Sequence, residues 1–372
     1  MRRQIPGYTF VMGNTITSKN VASGPTVQPE RRSEGLNDHT DVAEKVARAR
    51  QATYVAFLSR HPFATDAYEA GFVTGIREDC SLQTNALRNV DVPILMLDND
   101  FKNPDLQRYL SRFREIEPEI GVVGDARSAD EAHIFVEEAR KLKTEYQDST
   151  LIIVPKCHEA IDIIGSADVP GTEIVLGYSM GYSDILASDF SDYSDWRGRR
   201  VHLLGASPTK QWEVIQQLTS PTLFGDPPAD IVGLDWNGAH KVAYMGEFWS
   251  RAGWQRSDHL SIRETVKKSL REMRLFWKER GVWPREGTTP VDRLGEAVQV
   301  PDDEVFANGM HISEAGDYEG PDDWEDRLDP EDDETIPLEH AIVHQYTDGS
   351  IRAFRSETER AYIEYHEGLI TP

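Results

Sequence analysis

Cysteine is nearly absent from this chain. Its 372 residues carry two, Cys80 and Cys157. Two thiols cannot build a disulfide framework or a Cys-rich zinc cluster, and they suit a reducing compartment. Lysine is scarce too: 11 of the 40 basic residues are Lys, set against 64 acidic ones, for a formal net charge of −24. An acidic, lysine-poor surface is expected of a protein from a high-salt cytoplasm; an ordinary acidic protein is the plainer alternative. Acidity normally argues against a nucleic-acid partner. In molar salt the Debye length is only about 3 Å, so net charge does not exclude one here. No apolar run reaches the roughly 18 residues of a spanning helix. The opening segment MRRQIPGYTFVMGN starts basic but lacks a sustained apolar stretch, so no secretory signal is expected. The expected setting is cytoplasmic, the host's cytoplasm if the chain is viral. Also missing are GxGxxG, GxxxxGK[ST], HxH, HExxH and CxxC, which removes the usual dinucleotide, phosphate-loop and zinc signatures.

What the chain does have is a rhythm of short apolar runs. They are ATYVAFLS (52–59), VPILMLDND (92–100), IGVVGDA (120–126), TLIIVPKC (150–157), TEIVLGYSM (172–180), RRVHLLGAS (199–207) and ADIVGLDWN (229–237). Each is continuous rather than alternating in hydrophobicity, as parallel strands covered on both faces are. Helical patterns lie between them. Residues 104–118 space Leu106, Tyr109, Leu110 and Phe113 helically. Residues 128–146 open on Ser128 with Glu131 three residues on, a capping box. Residues 208–218 start with Pro208, and 261–281 form a long amphipathic stretch closing at Gly281. Strand–helix alternation predicts βαβ units. With YTFVMGN (8–14) as the first strand, the count is eight, and about 35 residues per unit fits a closed barrel. The expected fold is therefore an α/β (β/α)8 TIM-like barrel over residues 1–299. A doubly wound open sheet is the alternative, but it would normally carry a Gly-rich loop after its first strand. Residues 15–50 read as a polar loop and then a short helix at 41–50. An acidic linker is expected at 300–337, then a small hairpin–helix appendage at 338–372 with its turn at Asp348-Gly349.

Barrel chemistry sits at the C-terminal ends of strands. Those ends present Asp98, Asn99 and Asp100; Asp125; Lys156, Cys157 and His158; Gly177, Tyr178 and Ser179; Gly205 and Ser207; and Asp235, Trp236 and Asn237. Asp98 and Asp235 each follow an apolar run directly (ILML-D, IVGL-D). Two carboxylates across one pocket can divide labour, one attacking an anomeric carbon while the other handles a proton. The bland reading is that each Asp caps a following turn. Lys156 suits a Schiff base, but more simply a phosphate contact or a counter-charge for nearby acids. Asp98, Asp100 and Asp125 could hold Mg²⁺ through oxygen ligands. The stretch FWSRAGWQR (248–256) interleaves Trp249 and Trp254 with Arg251 and Arg256, which suits base stacking or plain surface packing.

Taken in order, these segments resemble the tRNA-guanine transglycosylase superfamily, and more closely its DNA 7-deazaguanine-inserting branch of viral, archaeal and bacterial type. ILMLDNDF, VGDA, IVLGYSMG, VHLLGASP and IVGLDWN carry the resemblance, over roughly residues 90–240. The resemblance implies that Asp235 is the nucleophile at C1′ and Asp98 moves the proton, with Asp98 after strand three and Asp235 after strand eight. It implies that Asp125 reads the purine edge, with Asn99, Lys156, Gly177, Tyr178 and Trp236 around the base. Guanine would leave and a preQ0- or preQ1-like 7-deazaguanine would enter. The flipped nucleotide would be held by Trp236, Trp249 or Trp254, and phosphates by Arg251, Arg256, Lys267 and Lys268. The zinc-binding Cys cluster of the tRNA enzymes is missing, which favours DNA over tRNA. Expected partners are DNA and the free 7-deazaguanine base, with a homodimer as the assembly and no membrane; no cofactor is expected. The competing functions are a small-molecule hydrolase or lyase with Asp-bound Mg²⁺, and a non-catalytic barrel subunit of a DNA-modification complex.

Overall fold

A computed structural model describes residues 34–59, 63–79, 92–167, 174–181, 183–222, 225–243, 246–257, 260–296, 342–345 and 351–354. The chain divides into two units, Met1–Thr40 and Asp41–Pro372. Helix α1 runs Glu34–Arg50, longer than the 41–50 the sequence suggests. In the larger unit eight parallel strands close into a barrel in sequence order: β1 Tyr54–Leu58, β2 Val73–Arg77, β3 Met96–Asp98, β4 Ile120–Ala126, β5 Thr150–Pro155, β6 Val175–Ser179, β7 Arg200–Leu204 and β8 Asp230–Asp235. Closure is direct, because Ala56 of β1 pairs with Asp235 of β8.

The fold class is the expected one, but the strand roll differs. Residues 8–14 lie outside the described residues. The strand that sequence reading missed is β2. It follows β1 after only a short helix, α2 Phe63–Glu69, so this first unit is compressed. Its apolar run is interrupted by Thr74, Gly75 and Arg77. Gly75 is required by close approach: a Cβ there would lie 2.1 Å from the Met96 carbonyl oxygen of β3. Asp98 and Asp235 still end strands three and eight, by a different count.

The outer layer is α3 Leu106–Ile116, α4 Ala129–Glu145, α5 His158–Gly165, α6 Tyr193–Trp196, α7 Pro208–Thr219, α8 Gly238–Ala243, α9 Ile262–Glu279 and α10 Pro290–Leu294. Their starts follow from local chemistry. Ser128 accepts from the Glu131 N–H (3.2 Å), but the Glu131 carboxylate takes the Arg127 N–H (2.7 Å), so half of the expected capping box forms. Pro208 occupies the first turn of α7, where its missing N–H costs nothing. Tyr109, Leu110 and Phe113 of α3 are buried as their spacing predicts. Antiparallel hairpins β9 Glu247–Ser250/β10 Gly253–Arg256 and β11 Ile342–Gln345/β12 Ile351–Phe354 complete the described elements. The second matches the strands expected in the C-terminal appendage. Its expected turn and helix, and the linker at 300–337, lie outside the described residues. Among the described residues no helix is long and apolar enough to cross a membrane.

Candidate active site

Strand alternation decides which side chains enter the barrel. The carboxylates of Asp98 (β3), Asp125 (β4) and Asp235 (β8) and the amine of Lys156, just past β5, are delivered to its C-terminal mouth. Asp98 and Asp235 interact electrostatically, and Asp125 adds to the same negative field.

The three carboxylates have unlike surroundings. Asp98 is half-buried; the Asn99 N–H donates to its Oδ1 (3.0 Å). Burial first, then the charges of Asp235 and Asp125, push its carboxyl well above the usual range. Asp125 is pushed up by burial, against the pull of Lys156, whose Nζ lies 3.4 Å away. Lys156 in turn donates to Ser183 Oγ (2.6 Å) and the Ile185 carbonyl (3.1 Å), and burial lowers its affinity for a proton. Asn99 is buried beside this pair, and its side chain also favours the charged form of Asp125.

Asp235 is held from behind. Its Oδ1 meets His202 Nε2 and the Gly205 N–H, both at 3.3 Å, and its own carbonyl accepts from Gln211 Nε2 (2.7 Å). His202 is fully buried, and its Nδ1 lies 2.8 Å from the Tyr54 hydroxyl. Tyr54, His202 and Gln211 are not among the strand-end residues that the sequence singles out. The one signal was an imidazole inside an otherwise apolar strand, RVHLLG.

The other expected site residues differ in where they face. Gly177 faces inward between Val154 and Leu204. Tyr178 therefore points to the helical layer, stacking on Tyr193 and packing edge-on against Trp196. Trp236 is buried against Trp249 and Trp254. Asp100 turns away from the mouth. It accepts from the Lys102 and Asn103 N–H groups and pairs with Arg108 (3.2 Å), which also bonds buried Glu78 (2.9 Å). Asp98, Asp100 and Asp125 thus do not converge, and among the described residues no three His, Cys, Asp or Glu side chains make a metal site. The expected phosphate-binding cations lie on β9–β10 and α9. Arg251 pairs with Glu272 (2.9 Å) and with Glu279, Lys267 pairs with Glu264 (3.3 Å), and Lys268 sits over the Phe248 ring (4.1 Å). Arg256, in β10, also has an interaction partner.

No curated protein matches the chain. Among solved structures it is similar to the YdjI aldolase from Escherichia coli K12, at 11% identity and a TM-score of 0.41 over 66% of this chain and 96% of that one. A family model, described as DUF6610, a family of unknown function, matches residues 67–278, a span from α2 to α9 that holds all three mouth aspartates. The chain belongs to that DUF6610 family.

Proposed function

We propose that this protein is a base-exchange glycosyltransferase that replaces guanine in DNA by a 7-deazaguanine. The observation that supports it best is the pairing of two carboxylates at one mouth in contrasting surroundings. Asp98, pushed toward its protonated form, suits a proton donor, while Asp235, oriented by His202 and the Gly205 N–H, suits a nucleophile. In the first step an Asp235 oxygen bonds to C1′ of the deoxyguanosine. The C1′–N9 pair leaves with guanine, which takes the Asp98 proton. In the second, the incoming base gives its N9 proton to Asp98 and bonds to C1′, and Asp235 departs as carboxylate. Proton and electron counts return to their start. The choice of DNA as the carrier of the sugar rests on the sequence resemblance alone.

The test is incorporation of isotope-labelled guanine or 7-deazaguanine into DNA, read by nucleoside mass spectrometry in low and in molar KCl. The wild-type protein is expected to exchange base. Asp235→Asn is expected to lose about 10⁴- to 10⁶-fold, as nucleophile removal does elsewhere, and to form no covalent adduct. Asp98→Asn is expected to lose about 10²- to 10⁴-fold. Undiminished exchange by Asp235→Asn would sink the mechanism.

A further inference from the structure

Behind Asp235 lies a buried chain of three groups from three neighbouring strands. The Tyr54 hydroxyl of β1 is 2.8 Å from His202 Nδ1 of β7, and His202 Nε2 is 3.3 Å from Asp235 Oδ1 of β8. His202 has no exposed surface and Tyr54 has 6%. Room for this chain is made by Gly233, which pairs with both Tyr54 and His202 across the sheet. A Cβ at 233 would sit 2.2 Å from the Tyr54 ring. The two rings also stack, with centroids 5.5 Å apart.

We propose that Tyr54 and His202 are positioning residues that fix the neutral imidazole with its proton on Nε2. They thereby commit Oδ1 of Asp235 and leave Oδ2 to react. The role of Asp235 rests on the reaction proposed above; the tautomer does not. Three observations carry the proposal. Burial, then the charge of Asp235, hold the Tyr54 proton firmly on its oxygen, so a phenol is available to donate to Nδ1. An Nδ1–H tautomer would instead turn the Nε2 lone pair onto a carboxylate oxygen, which repels it. The Gly205 N–H meets the same Oδ1, while among the described residues Oδ2 has no hydrogen bond. The charged groups facing the relay are Asp235 on β8, Asp98 on β3 beyond it, and Arg200 at the start of β7. None of them competes with Tyr54 for Nδ1.

The experiment is ¹⁵N NMR of the full chain labelled in histidine. The His202 resonance is assigned by its loss in His202→Gln. Wild type is expected to show an Nε2–H neutral ring with Nδ1 accepting a hydrogen bond. In Tyr54→Phe, which removes one oxygen, the Nδ1 resonance is expected to move to its non-bonded position. Exchange kcat is expected to fall about tenfold with KM within about twofold, the size of effect that supporting hydrogen bonds have on the groups they orient. An Nδ1–H ring in wild type, or an unmoved Nδ1 resonance in Tyr54→Phe, overturns the relay whether or not exchange occurs. Absence of exchange in wild type with the expected tautomer present overturns the reaction instead.

Discussion

Two aspartates in this barrel meet opposite company. Asp66, on α2 in the helical shell, accepts from Arg263 Nε and Nη2 of α9 at 2.7 and 2.8 Å, and Lys267 Nζ lies 3.8 Å from it. Asp98, at the mouth, receives one backbone N–H and faces two more carboxylates. Arg77, whose charge draws the Asp98 carboxyl down, also makes a two-pronged bond to Asp79. Asp66 meets a two-pronged counter-charge, whereas Asp98 meets a backbone N–H and two neighbouring negative charges. A partly buried carboxylate held beside two others costs stability, so packing does not explain its presence, and such groups concentrate where chemistry is done.

Breaking the satisfied pair should produce the larger stability effect. Asp66→Asn removes the carboxylate that the Arg263 guanidinium, itself 4% exposed, grips with two bonds. The expected loss is about 3–5 kcal/mol by denaturant unfolding, with kinetic constants per folded molecule unchanged. The paired replacement Asp66→Leu with Arg263→Met should recover most of it, because desolvation of both charges is then avoided. If Asp66→Asn proves as stable as wild type, the contrast between shell and mouth fails on the shell side.

At the mouth the sign should reverse. Asp98→Asn removes a carboxylate that burial and two neighbouring charges disfavour, so the variant should be more stable at neutral pH by about 0.5–2 kcal/mol. The pH dependence follows from the direction of the shift. A carboxyl raised in the folded state binds its proton more tightly there than in the unfolded chain. Its favourable contribution is complete below the ordinary carboxylate range of about 4 and is lost as pH rises through the raised value. Wild type and variant should thus converge in acid and separate toward neutrality. Thermal melts at several pH values check this; a variant less stable at pH 7 would mean that the Arg77 charge outweighs burial and the two neighbouring carboxylates.

The barrel was legible because parallel strands write themselves as unbroken apolar runs. Asp98 and Asp235 were legible because each stands directly at the end of one. β2 escaped notice because its tightest contact demands Gly75 and its end carries Arg77, which break the run. Asp100 illustrates the opposite error. It would point with Asp98 if β3 continued, but the strand stops at Asp98 and the chain turns, sending Asp100 to Arg108. Tyr178 follows Gly177 directly, and a period of two sends their side chains to opposite faces. The Tyr54–His202 relay joins residues 148 positions apart, and no local pattern encodes that distance.

The smallest effects should come from the cations of β9–β10 and α9, and they extend the same contrast to the surface. Arg251 is engaged by Glu272 and Glu279, whereas Lys268 lies over the Phe248 ring. Arg251→Ala should change stability by no more than about 1 kcal/mol, since exposed pairs contribute little and salt screens them. If DNA runs along this face, a cation already bonded to two acids has little charge left for a phosphate. The slope of log affinity against log salt should then stay unchanged in Arg251→Ala and shrink by about 0.9 in Lys268→Ala, one phosphate contact being lost. Fluorescence anisotropy with a labelled duplex across a KCl series measures both slopes. Equal losses in the two variants would show that the Arg251 pairs open when DNA binds. Two unchanged slopes would remove this face from the DNA path and shift the proposed substrate contacts to the mouth, where Asp98 and Asp235 lie.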